Sequence, residues 1–291
     1  MVATARRALL FGALGTLAGC AGRGGACAPG GGNPVPLTLD GDRAYVLARV
    51  NGRPVSLLLD TGAQRSLLAT DAIAPLGLAA DPVNVTRTLT VGGAVVRMPN
   101  ALVPVFELGR TRYARISMPV APFSEPGRRE PPVAGILGAD LLAEHVVELA
   151  PAQGTMLLHP PGCTPPGAAT PVEVQRGLIL LPVTVDGVAL RAILDSGASA
   201  SIMTTDAAAR LGVTAAMLAH DPAVTSRGMD LRPIRTAMHR FREMRVGAET
   251  MREPVIAVAE IRLAGADMLL GMDWLAPRHV WLAIAQGRMV V

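Results

Sequence analysis

The sequence predicts a mostly β protein built from two homologous lobes. Short apolar runs rich in Val and Leu alternate with turns containing Gly and Pro along most of the chain, which is typical of β proteins. The chain also repeats itself, because Asp-Thr-Gly-Ala at residues 60–63 returns as Asp-Ser-Gly-Ala at residues 195–198. A repeat this long indicates two related lobes rather than a solenoid.

The repeat extends well beyond this tetrapeptide. The turn at 51–52 and the pair Leu76-Gly77 both have counterparts 135 residues later, at the same offset as the tetrapeptide. A second block recurs at an offset of 133, running from Asp140 to Met156 in the first copy. We therefore expect both lobes to keep the same ends while their interior loops differ. The predicted segments are a signal peptide at 1–19, a tether with a lipidated cysteine at 20–36, lobe 1 at 37–158, a linker at 159–171 and lobe 2 at 172–291.

Each lobe is predicted to open with strands that lead into the Asp motif. In lobe 1 these are residues 37–39 and 44–50, followed by a hairpin turn at 51–52 and an apolar strand that ends at the motif. Short helices are expected after the motifs, from Asp71 to Leu76 and from Asp206 to Leu211. A Gly follows each of these helices, in the position that commonly ends one.

A further hairpin is expected in lobe 1 at residues 89–96, with Gly92 and Gly93 at its tip. Lobe 2 has no Gly-Gly turn at the corresponding place, and its nearest candidate is Arg227–Asp230. The sequence therefore favours a hairpin flap over one lobe only.

The N-terminus has the pattern of an export signal. Arg6 and Arg7 precede an apolar run from Ala8 to Leu17, which is too short to span a bilayer. Leu-Ala-Gly-Cys at residues 17–20 then resembles the cleavage and lipidation site of bacterial lipoproteins, with Cys20 as the acylated residue. An ordinary signal peptide cut elsewhere, or an uncleaved anchor, would explain the same pattern. The Gly- and Pro-rich residues that follow suit a flexible tether.

Composition limits the other chemistry that the protein can carry. Cys27 in the tether and Cys163 in the linker could form a disulfide in an oxidising compartment, or remain free thiols. Cys and His residues do not occur at metal-ligand spacing, so we expect neither a metal site nor a cofactor. The net charge of +4 includes the two arginines of the signal. No basic stripe is interleaved with aromatic residues, so nucleic-acid binding has no support.

The paired motif points to acid–base chemistry. Gly62 and Gly197 allow a tight turn that brings backbone N–H groups to the preceding carboxylate. The hydroxyls of Thr61 and Ser196 can bond to the opposite loop. Two carboxylates held close together share one proton over a broad pH range, and such a pair can activate a water between them.

On these residues the chain resembles the retropepsin-like aspartic proteases, specifically the bacterial members in which two units are fused in one chain. Two companion motifs add to the resemblance, each a pair of apolar residues, a Gly and a short helix, at 136–142 and 269–275. The resemblance covers residues 36–291 and implies two acid-protease barrels with short helices. It also implies that Asp60 and Asp195 are the catalytic dyad and that Gly92-Gly93 forms a flap over the cleft.

The sequence departs from the viral members of that family in one respect. There an Arg follows the companion Gly and pairs with an acid just after the catalytic tetrapeptide. Ala139 and Met272 occupy the first position here, with Gln64 and Ser199 at the second, so this pair is expected to be missing from both lobes. The recurring Asp140 and its counterpart Asp273 are expected to favour the helix that begins beside them.

Three function classes therefore remain. The favoured one is a lipid-anchored, periplasm-facing aspartic endopeptidase, attached to the outer membrane because Ala21 rather than Asp follows Cys20, and acting as a monomer on peptide or protein substrates. The alternative is a peptide-binding or assembly lipoprotein that keeps the fold without catalysis. A glycoside hydrolase is a weaker option, since glycosidases hold their two carboxyl groups further apart.

Overall fold

The computed structural model describes residues 25–89, 95–123, 130–227, 233–263 and 265–291. It is mostly β, which confirms the predicted fold class. The predicted signal peptide and Cys20 lie outside the described residues. Within the described part of the chain, no helix has both the length and the apolar character needed to cross a bilayer.

Lobe 1 is a barrel of six strands with further strands on its edges. The sheet runs in the order β1-β2-β3-β8-β4-β7-β6-β5, and β6 also pairs with β2, which closes the ring. The elements are β1 Asn33–Asp40, β2 Arg43–Val50, β3 Arg53–Leu59, β4 Leu67–Ala69, a 3₁₀ turn Thr70–Ala72, β5 Ala79–Leu89, β6 Val95–Leu108, β7 Thr111–Ala121, β8 Val133–Leu137, α1 Ala139–Leu142, β9 Val146–Ala150, a 3₁₀ turn Pro151–Gln153 and β10 Thr155–His159.

Lobe 2 repeats this strand order, with the long hairpin strands of lobe 1 divided into shorter ones. Its sheet runs β12-β13-β14-β21-β15-β20-β17-β16, and β18 takes the place of the second half of β6 beside β13. The elements are β11 Ala169–Pro171, β12 Glu173–Gln175, β13 Leu178–Val185, β14 Val188–Leu194, β15 Ile202–Thr204, α2 Thr205–Arg210, α3 Ala215–His220, β16 Ala223–Arg227, β17 Pro233–Arg240, β18 Glu243–Val246, β19 Glu249–Arg252, β20 Val255–Ala259, β21 Met268–Leu270, α4 Met272–Leu275, β22 Val280–Ala283, a 3₁₀ turn Ile284–Gln286 and β23 Arg288–Val290.

The core follows the duplication as closely as the sheet does. Phe106 and Phe241, which lie 135 residues apart, are both buried in the main apolar core. Trp274 and Trp281 are buried as well, so neither forms an exposed aromatic platform. Burying such large apolar side chains supplies the main driving force for folding each lobe.

A six-stranded sheet joins the two lobes, in the order β11-β23-β22-β9-β10-β1. β9 of lobe 1 and β22 of lobe 2 pair antiparallel at its centre. The buried carboxylate of Glu148, on β9, lies 2.8 Å from Nε2 of His159 and 3.0 Å from Nε2 of His279. One buried acid thus contacts imidazoles from both lobes, which satisfies its oxygens inside the sheet.

A disulfide bond, which the sequence left open, packs against this interlobe sheet. Cys27 and Cys163 are bonded to each other, and both are buried. Ala26 pairs with Thr164 in an isolated bridge beside the disulfide. The ends of the predicted tether and linker also enter the sheet, because β1 begins at Asn33 and β11 begins at Ala169.

The predicted helix after the first motif is wrong. Lobe 1 has only a 3₁₀ turn at Thr70–Ala72, whereas lobe 2 has α2 in the predicted place. Pro75 explains the difference, because proline disfavours the helical conformation in the residue before it and cannot donate a backbone hydrogen bond. Thr204 also caps α2 by accepting a hydrogen bond from the Ala207 N–H, while Ala69 has no side chain to cap the turn in lobe 1.

β5 and β6 form the hairpin that the sequence predicts in lobe 1. β16 and β17 pair antiparallel in lobe 2, and β16 ends at Arg227, where the nearest lobe 2 candidate begins. A single flap over lobe 1 stays a prediction, because the tips of both hairpins fall in parts of the chain that the structure does not describe. Gly92 and Gly93, and residues 228–230 of the lobe 2 candidate, lie outside the described residues.

Candidate active site

The two Asp motifs are held at matching ends of two parallel strand pairs. β3 pairs parallel with β8, and β14 pairs parallel with β21. The N–H of Asp60 donates to the carbonyl of Leu137 at 3.0 Å, and the N–H of Asp195 donates to the carbonyl of Leu270 at 2.9 Å. Each Asp therefore leaves a buried strand while its own backbone is still fixed by the neighbouring strand.

The two carboxyl groups face each other across the boundary between the lobes. A Cβ atom added to Gly62 would lie 2.5 Å from the carboxyl carbon of Asp195, and one added to Gly197 would lie 2.5 Å from that of Asp60. Those distances are too short for any side chain. Glycine is therefore required at both positions because the opposite carboxyl group occupies the space.

The hydroxyls that follow the two acids form a reciprocal set of hydrogen bonds. The Thr61 hydroxyl donates to the Leu194 carbonyl at 2.8 Å and accepts from the Ser196 N–H at 3.0 Å. The Ser196 hydroxyl donates to the Leu59 carbonyl at 2.8 Å and accepts from the Thr61 N–H at 3.0 Å. Thr61 and Ser196 are both buried, so these four bonds are shielded from water. They fix the two loops, and hence the two carboxyl groups, relative to each other.

The surroundings favour a proton on Asp60. Burial raises the pKa of Asp60 well above its ordinary value, and the charge of Asp195 raises this pKa further. Hydrogen bonds from the N–H groups of Ala63 and Gly62 lower the pKa but do not cancel the rise. The Ala63 N–H donates to Oδ1 of Asp60 at 2.9 Å. Asp60 is only 6% exposed, so this carboxyl group gains little from solvent.

Asp195 is better able to carry the negative charge. Burial raises the pKa of Asp195 too, but backbone N–H groups, a hydrogen bond with Asp60 and the charge of Arg43 all lower it. Oδ1 of Asp195 accepts from the Gly197 N–H at 2.9 Å and from the Ala198 N–H at 3.2 Å. The pair therefore shares one proton and one negative charge, and its surroundings favour the proton on Asp60.

A comparison with protein families shows which family the chain belongs to. The sequence profile described as aspartyl protease matches residues 46–141 and, separately, residues 181–274. The chain belongs to the aspartyl protease family. Both matched segments contain one Asp motif and its companion Gly motif, as a duplicated single-chain member requires. No curated protein sequence gives a significant match.

In this member of the family, a serine behind each catalytic loop completes the support, and sequence reasoning missed it. The Ser66 hydroxyl donates to Oδ1 of Asp140 at 2.7 Å and accepts from the Gly138 N–H at 2.9 Å. Ser201 makes the same two contacts in lobe 2, with Asp273 at 2.7 Å and the Gly271 N–H at 3.0 Å. The recurrence of Ser at the duplication offset was the signal that could have revealed it.

The two recurring acids have a second role beside the expected one. Asp140 and Asp273 lie in the first turns of α1 and α4, where each Oδ1 accepts the N–H of the next residue, at 2.9 Å from Leu141 and 2.8 Å from Trp274. Each acid also joins its helix to the serine behind the catalytic loop. The loop is thus supported on the side opposite the other lobe.

The companion glycines have a steric reason of their own. A Cβ on Gly138 would lie 2.6 Å from the backbone carbon of Arg65, and one on Gly271 would lie 2.6 Å from that of Ala200. Each glycine therefore lets its strand pass directly behind the catalytic loop.

Neighbouring positions form a different ion pair in lobe 1. Ala139 and Gln64 occupy the two positions of the viral pair, as the sequence shows, but Nε of Arg65 on the loop lies 3.4 Å from Oδ2 of Asp140 on the helix. Both side chains are partly exposed, and the pair contributes little to stability. In lobe 2 the residue at the position of Arg65 is Ala200, which cannot form such a pair.

The remaining predicted site residues lie elsewhere. Cys27 and Cys163 pack against the interlobe sheet, in a cluster with Val146 and Trp281, rather than at the dyad. Among the described residues, no group of three or more His, Cys, Asp or Glu side chains could hold a metal ion. The arrangement that the structure brings together is therefore the dyad with its two hydroxyls and two glycines.

We expect Thr61→Val to destabilise the protein by about 2–4 kcal/mol, since the change leaves the buried Ser196 N–H without its acceptor and the Leu194 carbonyl without this donor. Thr61→Ser keeps the hydroxyl and is the matched control. The free energy of unfolding in urea measures both variants. Equal stability of Val and Ser at position 61 would show that the cross-lobe hydrogen bonds contribute nothing.

Proposed function

We propose that the protein is an aspartic endopeptidase that hydrolyses peptide bonds with a water activated between Asp60 and Asp195. The observation that carries this proposal is the pair of facing carboxyl groups, with glycine required beside each of them. Membership of the aspartyl protease family supports the same chemistry at a coarser level.

The proposed mechanism follows from the different surroundings of the two acids. Asp195, whose surroundings favour the negative charge, takes a proton from the water while the water oxygen attacks the peptide carbonyl carbon. Asp60, which holds the shared proton, gives that proton to the carbonyl oxygen. As the tetrahedral intermediate collapses and the C–N bond breaks, Asp195 gives its proton to the leaving amine, and Asp60 takes a proton from the diol hydroxyl that becomes the new carbonyl. The dyad then returns to its state with one proton.

A peptide-binding protein without catalysis is the other candidate. Such a protein has no use for two buried carboxyl groups held against each other, because their desolvation and repulsion cost stability. The intact motifs in both lobes therefore favour the enzyme. The same closeness argues against a glycosidase, whose two carboxyl groups stand further apart on either side of the glycosidic bond.

Asp60→Asn and Asp195→Asn should each abolish peptide cleavage, because the mechanism needs one acid and one base. Cleavage of a diverse peptide library by the soluble domain, residues 25–291, provides the measurement.

The fold should survive the change at residue 60. The raised pKa of Asp60 means that its contribution to stability is present at low pH and is lost as the pH rises through its folded pKa. Asp60→Asn should therefore be at least as stable as the wild type at neutral pH, as thermal unfolding can verify. A folded single variant that keeps near-full turnover would eliminate the mechanism.

We expect maximal activity at mildly acid pH, above the ordinary Asp pKa of about 3.9. Burial raises the pKa of both acids, so the pH range in which the dyad holds one proton moves upward. Ala63 and Ala198 provide no hydroxyl donor that would oppose this shift. Replacing both with Ser should move the acid limb of the kcat/KM profile to lower pH. An unmoved acid limb, or a wild-type maximum in strong acid, would contradict this explanation.

We also propose that the enzyme is lipid-anchored through Cys20 and faces the periplasm from the outer membrane, and that it acts as a monomer with an internal pseudo-dyad. This proposal rests on the sequence pattern at residues 17–21. Cys20→Ala should release the protein from the membrane fraction or leave it unprocessed. Metabolic labelling with a fatty acid should mark the wild type and not the variant, and an unlabelled wild type would refute lipidation.

A further inference from the structure

The face of each sheet that carries the catalytic Asp also carries a row of apolar side chains. Residues two apart on a strand point to the same face, so Leu58 shares the face of Asp60, and Ile193 shares the face of Asp195. The lobe 1 row consists of Tyr45, Leu58, Ile136 and Leu67, which are paired in register across β2, β3, β8 and β4. The lobe 2 row consists of Leu180, Ile193, Leu269 and Ile202, paired across β13, β14, β21 and β15.

The two rows differ in how well they are covered. Every member of the lobe 1 row is buried, and none is more than 6% exposed. In the lobe 2 row, Leu180 and Ile193 are buried, but Leu269 and Ile202 are partly exposed. Lobe 2 therefore presents accessible apolar surface on the catalytic face, whereas the equivalent surface of lobe 1 is filled.

Aromatic rings explain why the lobe 1 row is filled. Tyr45 belongs to the row, and Phe123 packs against it just after β7. Register identifies the counterpart of Phe123, because Ala69 pairs with Ala121 in lobe 1 as Thr204 pairs with Ala259 in lobe 2. The residue two positions further on is Phe123 in one lobe and Ile261 in the other. Leu180 likewise replaces Tyr45. Two rings in lobe 1 are thus replaced by two smaller aliphatic side chains.

We infer that Leu269 and Ile202 form a one-sided specificity pocket, which takes an apolar side chain of the substrate on one side of the scissile bond only. The inference rests on the proposed function, since the occupant is the peptide that the dyad would hold. A pocket beside Asp195 lies on one side of the dyad, so the residue that enters it belongs to one side of the bond. The filled lobe 1 row offers no equivalent space for the residue on the other side.

Binding of uncleavable peptides tests the pocket without requiring turnover. Three peptides carry a reduced bond, –CH₂–NH–, at the position of attack: one has Leu on the N-terminal side of that bond, one has Leu on the C-terminal side, and one has Ser on both sides. Calorimetry with wild-type protein should show that only one of the two Leu peptides binds at least about tenfold more tightly than the Ser peptide.

Substitutions in the two lobes make the test specific. Leu269→Ser and Ile261→Phe should each remove the preference for that Leu peptide, the first by removing the apolar wall and the second by filling the space. Phe123→Ile is the matched change in lobe 1, and it should create a preference for the other Leu peptide. Thermal unfolding of each variant verifies that the fold is kept.

Several outcomes would overturn the inference. Equal preference for both Leu peptides, a preference that survives Leu269→Ser and Ile261→Phe, or failure of every peptide to bind would each eliminate a one-sided pocket. Failure of the proposed function is read separately, from cleavage of the peptide library by the wild type. A protein that cleaves the library but shows no one-sided preference would keep the function and lose the pocket.

Discussion

The reciprocal hydrogen bonds between Thr61 and Ser196 are the interaction on which the site depends. Each hydroxyl donates to one loop carbonyl and accepts from one loop N–H of the other lobe, so neither loop can move without breaking buried bonds. Two carboxyl groups brought this close repel each other when both are charged. The hydroxyl pair opposes that repulsion by holding the loops together, and the sharing of one proton reduces it. The electrostatic state of the dyad and the contact between the lobes are therefore aspects of one arrangement.

The duplication gives the two lobes the same strand order around the dyad, and individual side chains make them differ. The two barrels share strand order, parallel pairs and companion glycines, and each has a serine linked to an acid behind its catalytic loop. Differences appear where a single side chain is free to vary without changing the sheet. Pro75 stops a helix in lobe 1, Arg65 adds an ion pair there, and Phe123 packs on the apolar row of lobe 1 where lobe 2 has Ile261. A symmetric fold can thus treat the two sides of its substrate differently.

The fold class and the closeness of Asp60 and Asp195 could be predicted from the sequence, because the dyad chemistry requires particular residue types at a repeated spacing. Asp60, Thr61, Gly62 and their counterparts are identifiable for this reason. Ser66 was missed because serine is common, and its role depends on Asp140, which lies 74 residues further along the chain. The lobe 2 hairpin was only weakly indicated, by Arg227–Asp230, because its strands pair without a Gly-Gly turn between them. Glu148 between two histidines could not be foreseen either, since its partners come from different lobes.

The disulfide between Cys27 and Cys163 has a mechanical consequence. The chain before Cys27 joins the folded body at the linker between the lobes, where Ala26 also pairs with Thr164. A force applied to the N-terminal segment is therefore transmitted to the linker through the disulfide bond, rather than through β1. Without that bond the same force would act first on β1, which could be peeled from β10 one hydrogen bond at a time. The cross-link thus directs any load away from the strands that lead to the catalytic loop.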